Sequence, residues 1–138
     1  MDIDALKQAL LRDEALRTYA YQDSMGFWTI GVGRNIDRRG KGITPAEALY
    51  LLDNDIKDVM AQLDAAFPWW KGLDPVRQGA LANMCFNLGL GGLRQFKNFL
   101  GALENGNYEA AANEMEDSLW YRQVGARAHR LVEMIRKG

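Results

Sequence analysis

The stretch Asp13-Glu14-Ala15-Leu16-Arg17-Thr18-Tyr19-Ala20-Tyr21-Gln22-Asp23-Ser24-Met25-Gly26-Phe27-Trp28-Thr29-Ile30-Gly31-Val32-Gly33 reads as two short strands joined by a tight turn. Asp23 and Gly26 occupy the first and last positions of a four-residue segment, where those residue types favour a β-turn. Arg17 to Tyr21 forms the outgoing strand and Phe27 to Val32 the returning one. Period-two alternation puts Phe27, Thr29 and Gly31 on one face of the returning strand and Trp28, Ile30 and Val32 on the other. Glu14 falls just past the end of a preceding helix.

Outward from this hairpin the pattern turns helical. Asp2 or Asp4 can cap a first helix with apolar Ile3, Leu6, Leu10 and Leu11 at helical spacing. A polar loop, Arg38-Arg39-Gly40-Lys41-Gly42, follows the hairpin. Thr44-Pro45-Ala46-Glu47 then combines a capping threonine, proline at the first helical position and a glutamate that completes a capping box. Leu49, Leu52, Ile56, Val59, Met60 and Leu63 supply the stripe of a long helix that Phe67-Pro68 ends. Asp74-Pro75 opens another, lined by Val76, Ala80, Leu81, Met84, Cys85 and Leu88 and closed by Gly89. Further helices are predicted over about 93–103, 107–116 and 125–136.

The fold class is therefore α+β, mostly α. One domain over 1–138 is expected, with a small N-terminal β-hairpin lobe (about 13–43), a connecting helix (about 44–66) and a larger helical lobe (about 67–138). The N-terminal helix 2–12 is expected to belong to the helical lobe.

With 48% hydrophobic and 25% charged residues, the chain has the composition of a globular domain. Its 17 Lys and Arg against 18 Asp and Glu leave a net charge of -1, which gives no global reason to expect nucleic acid. The balance is locally uneven: residues 104–118 carry five acids and no base, and basic residues follow them. The plainer reading is that neighbouring helices pair these charges.

The single cysteine, Cys85, cannot form an internal disulfide and sits in an apolar run without a base to activate it. No His/Cys cluster has metal-ligand spacing and no glycine-rich loop follows a strand, so neither a metal nor another cofactor is expected. Acids stand where a secretory signal needs positive charge, and no apolar run approaches the roughly 20 residues of a membrane span. Synthesis as a soluble cytoplasmic monomer without membrane insertion is the expectation.

Glu14 and Asp23 are the residues that suggest chemistry. Hydrolysis of a glycosidic bond needs one carboxylic acid to protonate the leaving oxygen and one carboxylate that attacks the sugar or activates water. Tyr19 and Tyr21 can partly desolvate Glu14, whereas a turn should keep Asp23 ionised, so the two environments favour different roles. Thr29, near Asp23 on the returning strand, can orient a water molecule.

These residues carry a resemblance. Arg12-Asp13-Glu14-Ala15-Leu16-Arg17, Tyr21-Gln22-Asp23 and Gly26 to Gly33 are similar to the phage-type lysozymes of the T4 class, the endolysins of glycoside hydrolase family 24. Asn83-Met84-Cys85-Phe86-Asn87-Leu88-Gly89, Trp120-Tyr121-Arg122-Gln123 and Arg127-Ala128-His129-Arg130 extend the resemblance over nearly the whole chain.

The resemblance implies a lysozyme-like fold. It further implies cleavage of the β-1,4 bond between N-acetylmuramic acid and N-acetylglucosamine in bacterial peptidoglycan, in a cleft between the lobes. Glu14 would be the general acid, and Asp23 and Thr29 would position the attacking water for inversion. Inversion requires carboxyl groups roughly 6.5–9.5 Å apart, against about 5–5.5 Å for retention. Asp13 would pair with Arg130, while Asn83 and Arg127 would orient Glu14. Phe86, Asn87, Asn35, Phe99 and Glu114 would line the sugar cleft.

The same resemblance places the enzyme in the host cytoplasm until a holin opens the membrane, after which it would act on the wall in the periplasm. Two departures stand out. The segment between Gly33 and Ile43 is short for the family, and Arg34 occupies a position from which a pair with Asp55 is expected. Competing readings are a lytic transglycosylase, an inactive lysozyme-like wall-binding component and a helical nucleic-acid binder. Retention of Glu14, Asp23 and Thr29 speaks against the first two, and the near-neutral charge against the third.

Overall fold

The computed structural model describes residues 1–138. It separates into two units, Met1–Tyr50 and Leu51–Gly138.

The first unit holds α1 (Ile3–Glu14), a three-stranded antiparallel sheet and the first turns of α2 (Pro45–Ala66). Asp2 caps α1 by accepting a hydrogen bond from the Ala5 N–H at 3.0 Å. Glu14 is the last residue of α1 rather than a loop residue beyond it. The chain then turns sharply at Ala15, whose φ of 61° is one that residues with a Cβ rarely adopt.

β1 (Arg17–Gln22), β2 (Trp28–Gly31) and β3 (Arg34–Asn35) pair in that order. Tyr21 stands opposite Thr29, and Thr29 opposite Asn35. The predicted hairpin is thus the first two-thirds of a sheet. Its third strand escapes a sequence reading because Arg34-Asn35 carries no β-forming side chains; Gly31 and Gly33, with φ of 71° and 67°, turn the chain back to pair there. The capping box at Thr44 forms as expected, with Glu47 Oε1 accepting from the Thr44 N–H at 2.8 Å and the Glu47 N–H donating to Thr44 Oγ1 at 3.1 Å.

The second unit continues α2 and adds α3 (Pro75–Arg94), α4 (Lys97–Glu104), α5 (Tyr108–Glu116), α6 (Leu119–Val124) and α7 (Ala126–Lys137). A short 3-10 turn, Pro68–Gly72, precedes α3. Leu63, Leu81, Met84, Leu93, Phe99, Leu103, Met115 and Ile135 are fully buried and form its core. Cys85 belongs to the same core, and burial pushes its thiol pKa up. Gly89 breaks α3 as predicted, at φ 74°, but helical structure resumes up to Arg94 and α4 starts only at Lys97. The short α6, opened by the Ser118 cap, was absent from the predicted helices; six residues are too few to show a clear helical period.

One polar side chain closes this helical unit. Arg77 Nε donates to the Ile135 carbonyl at 2.7 Å and Nη2 to the Arg136 carbonyl at 3.1 Å, which satisfies the last turn of α7. Its Nη1 pairs with Asp74 Oδ1 at 2.9 Å, and its Cζ lies 3.5 Å from the centre of the Tyr108 ring. Charge-assisted hydrogen bonds contribute about 1.5–3 kcal/mol each, and neighbouring ones are not additive. Arg77→Ala should lower unfolding stability by about 2–4 kcal/mol in urea titrations, whereas a loss below about 0.5 kcal/mol would show the contacts to be incidental.

Candidate active site

The three residues predicted to react all lie in the first unit, arranged along β2. Asp23 sits in the turn that precedes it. Its Oδ1 accepts hydrogen bonds from the backbone N–H of Met25 and of Phe27, both at 2.9 Å. The Asp23 N–H donates in turn to the Phe27 carbonyl at 2.9 Å, and Gly26 N–H to the Asp23 carbonyl at 2.9 Å, closing the turn. One carboxylate oxygen is therefore fixed by backbone donors, while Oδ2 makes no hydrogen bond and is available to a ligand.

Thr29 is buried, at 4% exposure the one buried polar residue of the chain. Its hydroxyl donates to the same Phe27 carbonyl at 3.0 Å. That bond uses the only hydroxyl proton and leaves Oγ1 as an acceptor. Pairing of Thr29 with Tyr21, two residues before Asp23, puts the Asp23 and Thr29 side chains on one face.

Glu14 lies at the other end of β2. A Cβ built on Gly33 would stand 2.8 Å from Glu14 Oε2 and 2.9 Å from its Cδ, so the carboxyl group rests directly on the bare Cα of this glycine. The φ of 67° at Gly33 supplies a second reason for glycine there. Glu14 is exposed, and Tyr19, expected to desolvate it, is itself 85% exposed. Tyr21 is half-buried and carries the Arg17 guanidinium 4.5 Å from its ring centre. Within this unit the tyrosines do not supply the partial desolvation of Glu14 that the sequence suggests.

Asn35, predicted to line a sugar cleft, has a local structural task. Its Oδ1 accepts from the Asp37 N–H at 2.9 Å, and its carbonyl accepts from the Gly42 N–H at 2.9 Å. The side-chain amide occupies the space that a Cβ on Gly40 would take.

The ion pair of Arg34 also differs from the expected one. Its Nη1 donates to Glu47 Oε1 at 2.8 Å and to the Gly42 carbonyl at 3.1 Å, so the capping-box glutamate takes the place foreseen for Asp55. The hydrogen bond from Arg34, followed by those from Thr44, holds the Glu47 carboxyl at about 2, against an ordinary value of 4.5. A depressed folded-state pKa stabilises above the unfolded value and is lost as pH falls through the folded one. The melting temperature should therefore fall on acidification from about pH 5 towards 2, and Glu47→Gln should flatten this slope; an unchanged slope would count against the pair.

In the second unit, Asn83 and Arg127 come together. Arg127 Nε donates to Asn83 Oδ1 at 2.9 Å and Nη2 to the Asn83 carbonyl at 3.3 Å. Phe86 is 46% exposed and borders a pocket of about 320 Å³ with Leu52, Ile56, Ala82, Asn83 and Arg127. Asn87 Oδ1 accepts from the Trp120 indole N–H at 2.8 Å, which leaves its amide nitrogen free. Phe99 is buried in the helical core and exposed Glu114 lies beside it; with Lys97, Asn98 and Ser118 they line a pocket of about 540 Å³. Asp13 and Arg130 are exposed on their respective units.

Residues 12–137 match the family described as Phage lysozyme. The chain belongs to the phage lysozyme family. The membership makes it a glycosidase acting on peptidoglycan. Among phage lysozyme relatives, the pre-baseplate central spike protein Gp5 of Enterobacteria phage T4 is 32% identical over 160 residues, covering 97% of this chain and 28% of the spike protein. The probable T4-type lysozyme 1 of Dictyostelium discoideum is 26% identical and is covered over 96% of its length by 99% of this chain. The SAR-endolysin of Escherichia phage Mu is 31% identical over 110 residues, 79% of this chain and 63% of that protein. The chain thus spans about a quarter of the spike protein but nearly all of the amoebal lysozyme. No helix of this chain is long and apolar enough to cross a membrane.

Proposed function

We propose that the chain hydrolyses the β-1,4 bond between N-acetylmuramic acid and N-acetylglucosamine with inversion at the anomeric carbon. The observation that supports it most is the division of labour within Asp23: one oxygen is tied to two backbone amides and the other is free, on a residue that shares Phe27 as a hydrogen-bond partner with Thr29.

In this reading a water molecule donates one proton towards Asp23 Oδ2 and the other towards Thr29 Oγ1. Its lone pair then faces the sugar. Glu14 delivers its proton to the leaving glycosidic oxygen as the bond to the anomeric carbon breaks, and Asp23 receives the proton that the attacking water sheds. The exposed Glu14 would be covered by the bound glycan, and loss of water around a carboxyl favours its protonated form.

Asp13, Asn83, Arg127 and Arg130 are assigned to support of the acid; the Arg127–Asn83 hydrogen bonds favour that assignment for two of them. Phe86, Asn87, Asn35 and Glu114 are assigned to the glycan, and the buried Phe99 to the wall behind the pocket that Glu114 borders. The organisation proposed is that of the sequence: a small lobe at about 13–43, a connecting helix and a helical lobe that includes the N-terminal helix. Its biological counterpart is a monomer that accumulates in the host cytoplasm and lyses the cell once a holin gives access to the wall.

Digestion of purified peptidoglycan followed by borohydride reduction and mass spectrometry tests the bond. Products ending in reduced N-acetylmuramic acid are expected. Products ending in reduced N-acetylglucosamine would refute the bond assignment, and 1,6-anhydromuramyl products would make the chain a transglycosylase.

A further inference from the structure

The loop between β3 and α2 carries Arg38, Arg39 and Lys41, and Arg39 alone among them is fixed in place. Its Nε donates to Asp37 Oδ1 at 2.9 Å and its Nη2 to Asp37 Oδ2 at 3.3 Å. The guanidinium also stacks on Phe27, with Cζ 4.4 Å from the ring centre. Asp37 is anchored through its N–H to Asn35 Oδ1, and the Asn35 amide fits only because residue 40 is glycine. Gly40, Asn35 and Asp37 thus form a chain of supports that orients one cation.

Two further observations say what it is oriented for. Arg39 is paired along a single edge: Nη1 makes no hydrogen bond, and the side chain remains 66% exposed. Phe27, on which it stacks, is the residue whose N–H holds the Asp23 carboxylate. The hydrogen bond to Asp37 is the main influence raising the Arg39 pKa, and the Asp23 charge adds to it. The free Nη1/Nη2 edge of a guanidinium matches a carboxylate in two parallel hydrogen bonds. An anionic glycan approaching Asp23 and Asp37 meets repulsion unless a cation is turned towards it.

We propose that Arg39 is a specificity-determining residue that binds a carboxylate of the glycan strand beside Asp23. The proposal rests on the peptidoglycan reading above. The carboxylate comes either from the peptide stem or from the lactyl group of the muramyl sugar itself.

Three substrates separate these sources: strands bearing peptide stems, strands stripped by an amidase so that only lactyl carboxylates remain, and stripped strands whose lactyl carboxylates are converted to amides. Arg39→Gln should raise KM about tenfold on a carboxylate-bearing strand, the scale of a charge-assisted hydrogen bond, with kcat little changed. A penalty on stem-bearing strands alone assigns the stem. A penalty on stripped strands alone that disappears on amidated ones assigns the lactyl group, whose carboxyl is tied up in the amide link when the stem is present. A penalty on both stem-bearing and stripped strands that disappears on amidation shows that the site takes either carboxylate. Arg39→Lys should recover part of the loss.

An equal penalty on all three substrates, or none on any, overturns the proposal while leaving the hydrolase reading intact. Failure of the unmutated enzyme to release reducing ends from stem-bearing strands overturns both. Circular dichroism of Arg39→Gln should match that of the unmutated protein, because the side chain covers no core residue.

Discussion

Glu14→Gln should lower the rate of reducing-end release by at least about 10²–10⁴-fold with little change in melting temperature. The amide is nearly isosteric and can still rest on Gly33, so the fold loses nothing that the carboxyl supplied there. What it loses is the transferable proton, and an unassisted sugar alkoxide is a poor leaving group. Because Glu14 ends α1 and is exposed, the substitution removes no buried contact. KM should stay within a few-fold, since the proton matters in the transition state more than in the bound ground state. A mutant that keeps more than a tenth of the activity would remove Glu14 from the reaction.

Gly33→Ala is the second large effect, and it separates position from chemistry. The new Cβ would lie 2.8 Å from Glu14 Oε2, and a residue with a Cβ at φ 67° bears a strain of about 1–3 kcal/mol. The carboxyl must move or the β2–β3 turn must open. A displacement of about 1 Å in a catalytic group costs on the order of 10²-fold in rate. The expected result is a modest loss of stability in urea titrations with a disproportionate fall in kcat. Full activity in Gly33→Ala would mean that the Glu14 carboxyl is not held where the glycine places it.

Much of this site is legible in the sequence. Asp23 and Gly26 announce their turn through residue preferences that act over four positions, and the capping box at Thr44 is equally local, so both formed as read. Glu14 ends α1 instead of following it, a one-position difference of the kind usual at helix ends. Its environment differs more from the expected one, because burial depends on where Tyr19 points and the alternation of a strand with a register shift does not reveal that.

The choice of Glu47 over Asp55 by Arg34 shows the same limit from the side of charge. In the sequence Glu47 reads only as a cap, yet a capping carboxylate retains acceptor capacity, and the turn at Gly42 brings Arg34 to it. Asn35 carries a supporting role that its place in the sequence does not announce; the clue is Gly40 five residues later, whose meaning emerges only when the amide is seen in the space a side chain would fill. Arg39 had no signature at all, since an arginine in a polar loop is ordinarily a solvated charge.

The anomeric configuration of the first product tests the central claim most directly. Proton NMR during the opening minutes of glycan digestion, before mutarotation, should show the α-anomer accumulating first at the new reducing end, as attack by a water held at Asp23 and Thr29 requires. Initial accumulation of the β-anomer would mean retention, and with it a covalent or substrate-assisted route that contradicts the role given to these two residues.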